Sequence, residues 1–377
     1  MRPPHGGAAW RPGWLRPGVA LAAIVAVTAG ALVATADVAA TGLTLSPFSL
    51  TAPAAPPRQP PICTAVHVPV SLDVTAPADV YGRLCVPAGR RHAAIQVLVP
   101  GATYSGYYWD FPYQPETYSY VQAVGESGYA TLNIDRIGYG QSSREPSVAL
   151  TATAQALVLH QLVQGLRAGT IGGIGFTKVV LVGHSLGSGV CTLEAAIYRD
   201  VDGVVLTGVT HHPSAITLVA AILSSVHPAS SEPKFGAAYD AGYVTTVPGR
   251  RATTFYAAQD TDPGVIATDE VFKDPVSVTE LTESFAVGVS SPASRDIAAP
   301  VLVVVGTQDN LFCGGELASD CASAASLAQE EAPYFGPAAR LQTFVLPGAG
   351  HDLNLELNAA SYRDAVMNWA ARFVPDA

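Results

Sequence analysis

The chain has 377 residues, of which 49% are hydrophobic and 13% are charged. This composition supplies enough apolar side chains for a large buried core, and it excludes a chain that is disordered along its whole length. A formal net charge of −10, with no run rich in lysine or arginine, argues against a protein that binds nucleic acid.

Residues 1–36 have the features of a secretion signal. Three arginines in the first 16 residues precede an uncharged apolar run at 19–36. The small residues that end this run predict cleavage after Ala36, and residues 38–40 offer a second site of the same type. An uncleaved helix is the alternative, because a run of about 18 residues is at the lower edge of what spans a bilayer. The sequence therefore predicts a secreted protein that contacts a membrane only if this helix is retained.

Export also gives a role to most of the five cysteines, since disulfides persist in oxidising compartments. Cys63 and Cys85 flank two short predicted strands, whereas Cys313 and Cys321 flank a short loop. We therefore expect one disulfide within each of these two pairs. Cys191 is left over in an apolar helical pattern, where we expect a buried thiol without chemistry.

Residues 37–61 are rich in proline and predict a linker, since proline disfavours both helices and internal strands. Beyond it, short runs of valine, isoleucine and leucine alternate with helix-length apolar patterns. This alternation is typical of a parallel sheet that helices bury on both faces. The predicted strands lie at residues 66–74, 79–86, 93–99, 130–134, 178–182 and 203–206 and within 299–310 and 341–352, and the predicted helices lie at 152–166, 186–198 and 359–373.

The alternation breaks over residues 211–298, which we expect to form a cap or lid inserted after the sixth strand. Within it, an apolar stretch at 213–225 predicts a helix, and the sequence Thr-Asp-Pro-Gly at 261–264 predicts a turn. The strand pattern resumes after this segment. We therefore expect an α/β core that is formed by residues 62–210 and 299–377.

One serine lies in the setting that a nucleophile requires. Ser185 stands in the sequence Gly-His-Ser-Leu-Gly, directly after a predicted strand and directly before a predicted helix. A sharp strand-to-helix turn exposes the hydroxyl beside the free N–H groups of the helix N-terminus. Gly183 and Gly187 leave room for neighbouring backbone to pass close to this turn. The alternative is a serine that only caps the helix.

A serine hydroxyl needs a histidine to take its proton and a carboxylate to orient that histidine. Asp309 and His351 each follow a later predicted strand, so both are expected at the carboxyl edge of the sheet, where sites of α/β proteins form. Glu316 and Asp320 are weaker candidates for the acid, because neither directly follows a strand. We therefore predict a triad of Ser185, His351 and Asp309.

These motifs resemble those of the α/β-hydrolase family, in which the order is serine, acid, histidine. The resemblance covers residues 65–375 and includes residues 133–143, which are similar to the family's D-x-x-G-x-G-x-S loop. It implies the α/β-hydrolase fold, in which helices flank a mostly parallel central sheet. It implies no cofactor.

The resemblance also implies an oxyanion hole. The family uses the N–H group that follows the nucleophile and a second N–H group from the loop after the third strand. On this chain those positions correspond to Leu186 and Ala102. Thr103 is a close rival for the second position, and its hydroxyl is a further candidate donor. Pro100 replaces a histidine that is common in the family, a change that leaves the backbone donor in place.

The loop after the third predicted strand continues into an aromatic segment that includes Tyr104 and Tyr107. Such a density of aromatic rings suits an apolar pocket, although packing between the cap and the core is an equal alternative. The adjacent His211 and His212 are candidate pocket residues, with a structural role as the alternative. No histidine shows metal-ligand spacing, and we expect no metal.

Together these features predict a secreted serine hydrolase that cleaves carboxylic esters, thioesters or lactones with apolar groups through an acyl-enzyme intermediate. The expected partner is a small apolar ester-type molecule. An acyltransferase or a macrocycle-forming enzyme that uses the same triad is the alternative. A receptor that only binds such molecules is a further one.

Overall fold

The structure is a computed structural model that describes residues 60–73, 77–88, 94–214, 224–315 and 317–375. The predicted signal peptide, nearly all of the predicted linker and most of the apolar stretch at 213–225 lie outside these ranges. No helix within the described ranges is long and apolar enough to cross a membrane.

The described residues contain eleven strands and nine α-helices. The strands are β1 (Ile62–Ser71), β2 (Pro77–Val86), β3 (Ala94–Val99), β4 (Ala130–Ile134), β5 (Lys178–His184), β6 (Gly203–Thr207), β7 (Val226–Pro228), β8 (Tyr243–Thr246), β9 (Val276–Ser277), β10 (Val301–Gly306) and β11 (Gln342–Leu346). The helices are α1 (Pro115–Tyr118), α2 (Tyr120–Glu126), α3 (Ala152–Ala168), α4 (Leu186–Ile197), α5 (Arg251–Thr254), α6 (Pro263–Phe272), α7 (Val278–Val289), α8 (Ala324–Glu331) and α9 (Ala359–Phe373).

Eight strands form one central sheet in the order β1-β2-β4-β3-β5-β6-β10-β11. Six of these strands, β4, β3, β5, β6, β10 and β11, run parallel to one another. At one edge of the sheet, β2 pairs antiparallel with both β4 and β1. Every residue of β3, β4, β6 and β10 is buried. The predicted fold class, a mostly parallel sheet flanked by helices, is confirmed.

Two hydrophobic clusters cover the two faces of this sheet. Val97 and Leu181 pack into one cluster, whereas their chain neighbours Leu98 and Val182 pack into the other. Successive side chains of a strand point to opposite faces, so a strand covered on both sides needs apolar residues at most of its positions. This requirement explains why short continuous apolar runs predicted the central strands so closely.

The segment between β6 and β10 contains a small antiparallel sheet of its own, in which β8 lies between β7 and β9. Its helix α7 packs tightly against α4, because a Cβ atom on Gly189 would lie 2.2 Å from the backbone oxygen of Ser284. The buried Glu280 of α7 also pairs with Arg136, which follows β4. The limits 211–298 for a cap stay a prediction.

The Thr-Asp-Pro-Gly sequence at 261–264, predicted to be a turn, instead begins helix α6. The Asp262 side chain accepts a hydrogen bond of 2.7 Å from the N–H group of Gly264, and Pro263 occupies the first helical position. Proline is well tolerated there, because that N–H group has no partner within a helix. An aspartate before a proline therefore marked a helix start.

The structure contains both predicted disulfides. Cys63 and Cys85 face each other in the register of β1 and β2, and Cys313 is bonded to Cys321. Cys191 is a buried free thiol on α4, and burial raises its pKa well above the usual value. Two disulfides in one chain are typical of an oxidising compartment.

This pairing predicts the outcome of thiol alkylation. Denatured protein that has not been reduced should be alkylated only at Cys191, and reduction should make all five cysteines reactive. Intact-mass spectrometry counts the adducts, and peptide mapping locates them. Three or more adducts without reduction would contradict the pairing.

Candidate active site

Ser185 occupies a strained turn between β5 and α4. Its backbone has φ 51° and ψ −119°, a conformation that residues other than glycine rarely adopt. The turn is closely packed, because a Cβ atom on Gly183 would lie 2.7 Å from the oxygen of Gly187, and one on Gly187 would lie 2.5 Å from the oxygen of Val99. The Ser185 side chain forms no capping hydrogen bond, so it does not serve as a helix cap.

His351 and Asp309 form a buried hydrogen-bonded pair at the same edge of the sheet. The distance from His351 Nδ1 to Asp309 Oδ2 is 2.8 Å. Asp309 also accepts a bond of 3.0 Å from the N–H group of Leu311. Of the two other acids considered, Asp320 is exposed and Glu316 lies outside the described residues. Asp309 is therefore the acid that contacts the histidine.

The position of His351 relative to Ser185 follows from shared neighbours. The Thr207 carbonyl accepts a bond of 2.8 Å from the Ser185 N–H group, and a Cβ atom on the adjacent Gly208 would lie 3.1 Å from His351 Cε1. Phe312 stacks on His351 and lines the same cavity as Ser185. Among the described residues no hydrogen bond links Ser185 Oγ to the imidazole, a contact that in many enzymes tightens only with substrate.

The charge of Asp309 tunes His351. Burial alone would lower the pKa of His351, but the negative charge of Asp309 and its hydrogen bond outweigh burial and raise the pKa above the usual value. Because Nδ1 is directed at the carboxylate, Nε2 is the nitrogen left to exchange a proton with a serine hydroxyl.

The backbone N–H groups of Ala102, Thr103 and Leu186 have no acceptor among the described residues, and all three residues line the cavity that contains Ser185. Leu186 is the first residue of α4, so its N–H group is free by position. Thr103 has a φ of 63°, which marks a tight turn in the loop after β3.

Two buried arginines hold this loop. Arg136 donates hydrogen bonds of 3.1 Å and 3.0 Å to the carbonyl oxygens of Pro100 and Gly101. In a trans peptide the C=O and N–H groups point in opposite directions, so the N–H group of Ala102 points away from Arg136. Arg251 donates a bond of 2.8 Å to the Thr103 hydroxyl oxygen. Neither arginine's role could be predicted from the sequence, since each acts through a contact distant in the chain.

A cavity of about 100 Å³ opens beside Ser185. Its walls are mostly aliphatic and aromatic, with a few hydroxyl groups. The lining residues are Ala102, Thr103, Ser185, Leu186, Val209, Ser225, Val226, Thr246, Thr254, Phe255, Val276, Leu281, Ser284, Phe285, Leu311 and Phe312. Of the predicted pocket residues, Thr103 lines this cavity, whereas Tyr104, Tyr107, His211 and His212 do not.

Tyr104 and Tyr107 instead join a buried polar network between the core and the inserted segment. The Tyr104 hydroxyl lies within hydrogen-bond distance of both Asp269 and Asp352, and Tyr107 donates to Asp269 at 3.3 Å. Arg251 forms two bonds with Asp269, at 2.7 Å and 2.8 Å, and lies 4.2 Å from the centre of the Tyr104 ring. Packing between cap and core, the alternative interpretation of these aromatics, matches this arrangement.

His211 and His212 also have structural surroundings. His211 is buried, lies 2.7 Å from Glu331 and 3.0 Å from Ser294, and stacks on the Tyr334 ring. His212 contacts the hydroxyl of the same Tyr334. Both rings therefore fix the loop after β6 to the segment around α8, away from the cavity.

A second buried histidine–aspartate pair lies directly behind the first, and sequence reasoning missed it. His184 Nε2 lies 3.0 Å from Asp352 Oδ1, and its Nδ1 lies 3.1 Å from the Thr207 hydroxyl. Burial lowers the pKa of His184, which favours the neutral ring. Because these residues adjoin Ser185 and His351 in the chain, the pair holds the serine turn and the histidine loop together. The available sequence signals for this pair were the histidine directly before Ser185 and the aspartate directly after His351.

Several solved structures share the fold. An esterase from Thermogutta terrifontis is 19% identical, with a TM-score of 0.53 over 82% of this chain and 99% of its own. An enol-lactonase from Burkholderia xenovorans is 17% identical, with a TM-score of 0.53 over 78% of this chain and 97% of its own. An alpha/beta hydrolase from a Penicillium species is 18% identical, with a TM-score of 0.52 over 83% and 99%. These likenesses are of fold.

The family assignment comes from the sequence itself. No curated protein matches the chain. The profile of the Alpha/beta hydrolase family matches residues 96–365, which is more than half of the chain and includes Ser185, Asp309 and His351. The chain belongs to the α/β-hydrolase family.

Proposed function

We propose that the protein is a secreted serine hydrolase that cleaves small carboxylic esters, thioesters or lactones through an acyl-enzyme intermediate. The observation that carries the proposal is the hydrogen bond between His351 and Asp309 beside the cavity that contains the strained Ser185. This combination supplies a nucleophile, a base and an oriented acid at one edge of the sheet.

In the proposed reaction, Ser185 Oγ attacks the acyl carbon while His351 Nε2 takes the hydroxyl proton. Asp309 holds the proton on Nδ1 and stabilises the imidazolium that forms. The oxyanion accepts hydrogen bonds from the N–H group of Leu186 and from that of Ala102, with Thr103 as the rival. His351 then protonates the leaving alcohol, and water repeats the sequence to release the acid and restore Ser185.

The cavity favours a short apolar acyl group. An apolar cavity of about 150 Å³ accommodates benzene. The cavity beside Ser185 measures about 100 Å³, so it suits a group of only a few carbons. An esterase and an enol-lactonase share the fold, and the names of both enzymes refer to ester-type bonds.

A fluorophosphonate probe should label the protein at Ser185, because the probe reacts with an activated serine. Ser185→Ala should remove the label and the esterase activity together. Ser188→Ala is the matched control, since Ser188 lies in the first turn of α4 and its hydroxyl donates a hydrogen bond to the Thr207 carbonyl of β6. A folded protein that takes up no label would sink the proposal.

The rate should depend on pH through His351, which acts as a base only when neutral. Its pKa is raised, so kcat/KM should fall as the pH drops, with a midpoint above the usual histidine value of 6.5. Asp309→Asn should lower kcat by roughly 10⁴-fold, whereas Asp320→Asn at an exposed position should change it little. A profile whose acid midpoint is at or below 6.5 contradicts this assignment.

The length of the substrate's acyl chain should test whether the cavity holds the acyl group. Across p-nitrophenyl esters, kcat/KM should be highest for short acyl chains and fall once the chain exceeds the cavity. Leu281→Ala removes part of the wall and should move the optimum to longer chains, with a gain of about fourfold per added methylene. An optimum that does not move, or one at long chains in the unmodified protein, would show that this cavity does not hold the acyl group.

The same esters assayed with and without an added alcohol acceptor separate hydrolysis from acyl transfer.

A further inference from the structure

A second cluster of chemistry-bearing side chains lies between helices α3 and α4, away from Ser185. We call His160, Glu194 and Asp200 the α3–α4 cluster. Each offers one ligand atom, and these atoms all lie within 4.8 Å of one another. His160 Nδ1 is 2.8 Å from Asp200 Oδ2, and Glu194 is fully buried on α4.

Three carboxylate oxygens of this cluster are buried and have no hydrogen-bond donor among the described residues. They are both oxygens of Glu194 and Oδ1 of Asp200. Buried carboxylates are normally paired, because an unpaired one loses its hydration without compensation. Two carboxylates in such proximity need either a shared proton or a cation between them.

The nearest fixed positive charge does not supply that cation. Arg167 donates to Asp202 at 2.6 Å and to the backbone oxygen of Asp200, while Gln164 donates to Asp200 Oδ2. These donors therefore leave both oxygens of Glu194 without a hydrogen-bond donor. Glu194 also lies in the last turn of α4, where the helix dipole favours a cation.

The donor set indicates the class of cation. One imidazole nitrogen with two carboxylates suits divalent first-row transition metals, whereas Ca²⁺ and Mg²⁺ prefer oxygen ligands alone. Stacking on Tyr198, with ring centres 4.0 Å apart, holds the His160 ring in place. His160 and Asp200 are half-buried, so water can complete the coordination.

We propose that His160, Glu194 and Asp200 bind one divalent transition-metal ion, with Zn²⁺ as the first choice, which joins the C-terminal end of α4 to α3. Glu194 is eight residues beyond Leu186, which is about 12 Å along the helix. The ion therefore stabilises the helix that begins directly after Ser185, and it takes no part in acyl chemistry. The proposal does not depend on the proposed function.

The competing arrangement is a shared proton. Without an ion, burial and the neighbouring Asp200 raise the pKa of Glu194 to about 10, so Glu194 would be a neutral acid. Glu194→Gln distinguishes the two arrangements, because an amide mimics the neutral acid but is a poor metal ligand.

The test uses untagged full-length protein treated with a chelator and then titrated with ZnCl₂, MnCl₂ or CaCl₂. Calorimetry and thermal unfolding should show one Zn²⁺ per chain and a saturable rise in Tm, with a much smaller effect of Ca²⁺. Glu194→Gln should weaken Zn²⁺ binding by at least about tenfold. His160→Ala, which changes a half-buried side chain and so disturbs the fold less, should weaken it by a similar factor. Exposed Glu116→Gln, which removes the same charge, should bind as the unmodified protein does.

Absence of saturable binding of Zn²⁺ and Mn²⁺ by the unmodified protein would overturn the proposal in favour of the shared proton. Binding that persists unchanged in both cluster variants would also overturn it, because the ion would then lie elsewhere. Ser185→Ala should bind Zn²⁺ as the unmodified protein does. The Zn²⁺-binding result can therefore be interpreted even if the ester-hydrolase proposal fails.

Discussion

The backbone of Ser185 is the constraint on which the rest of the site depends. A non-glycine residue at φ 51° and ψ −119° costs about 1–3 kcal/mol, and it persists only where its surroundings leave no alternative. Here α4 lies so close to β5 and to the end of β3 that only glycines fit at 183 and 187. This packing keeps the hydroxyl at the sheet edge and the Leu186 N–H group beside it, so the geometry is set before any substrate arrives.

Buried charges extend that constraint into the inserted segment. Arg136 joins the carbonyl groups of Pro100 and Gly101 to Glu280 on α7, and Arg251 joins the Thr103 hydroxyl to Asp269 on α6. Removing one partner of such a fully buried pair leaves an uncompensated charge, which commonly costs about 3–5 kcal/mol. The segment between β6 and β10 is therefore part of the scaffold that holds the loop after β3 in place.

What the sequence predicted was local. A continuous apolar run located β6 to within one residue, and strand ends located Ser185, Asp309 and His351 at one edge of the sheet. What it missed depends on contacts between distant parts of the chain. Tyr104 and Tyr107 looked like pocket residues, but their hydroxyl groups bond to Asp269, more than 160 residues away. The partners of His184 were invisible for the same reason, since no local pattern encodes them.

We propose that the serine turn and the loop after β3 are already arranged around a developing oxyanion. A crystal structure of the protein after reaction with a fluorophosphonate tests this claim, because the phosphonyl oxygen mimics the oxyanion. We expect a bond from phosphorus to Ser185 Oγ, with the phosphonyl oxygen about 2.7–3.1 Å from the nitrogens of Leu186 and of Ala102 or Thr103. We also expect His351 Nε2 within hydrogen-bond distance of Ser185 Oγ. An adduct on another residue, or a phosphonyl oxygen directed away from these N–H groups, would contradict the claim.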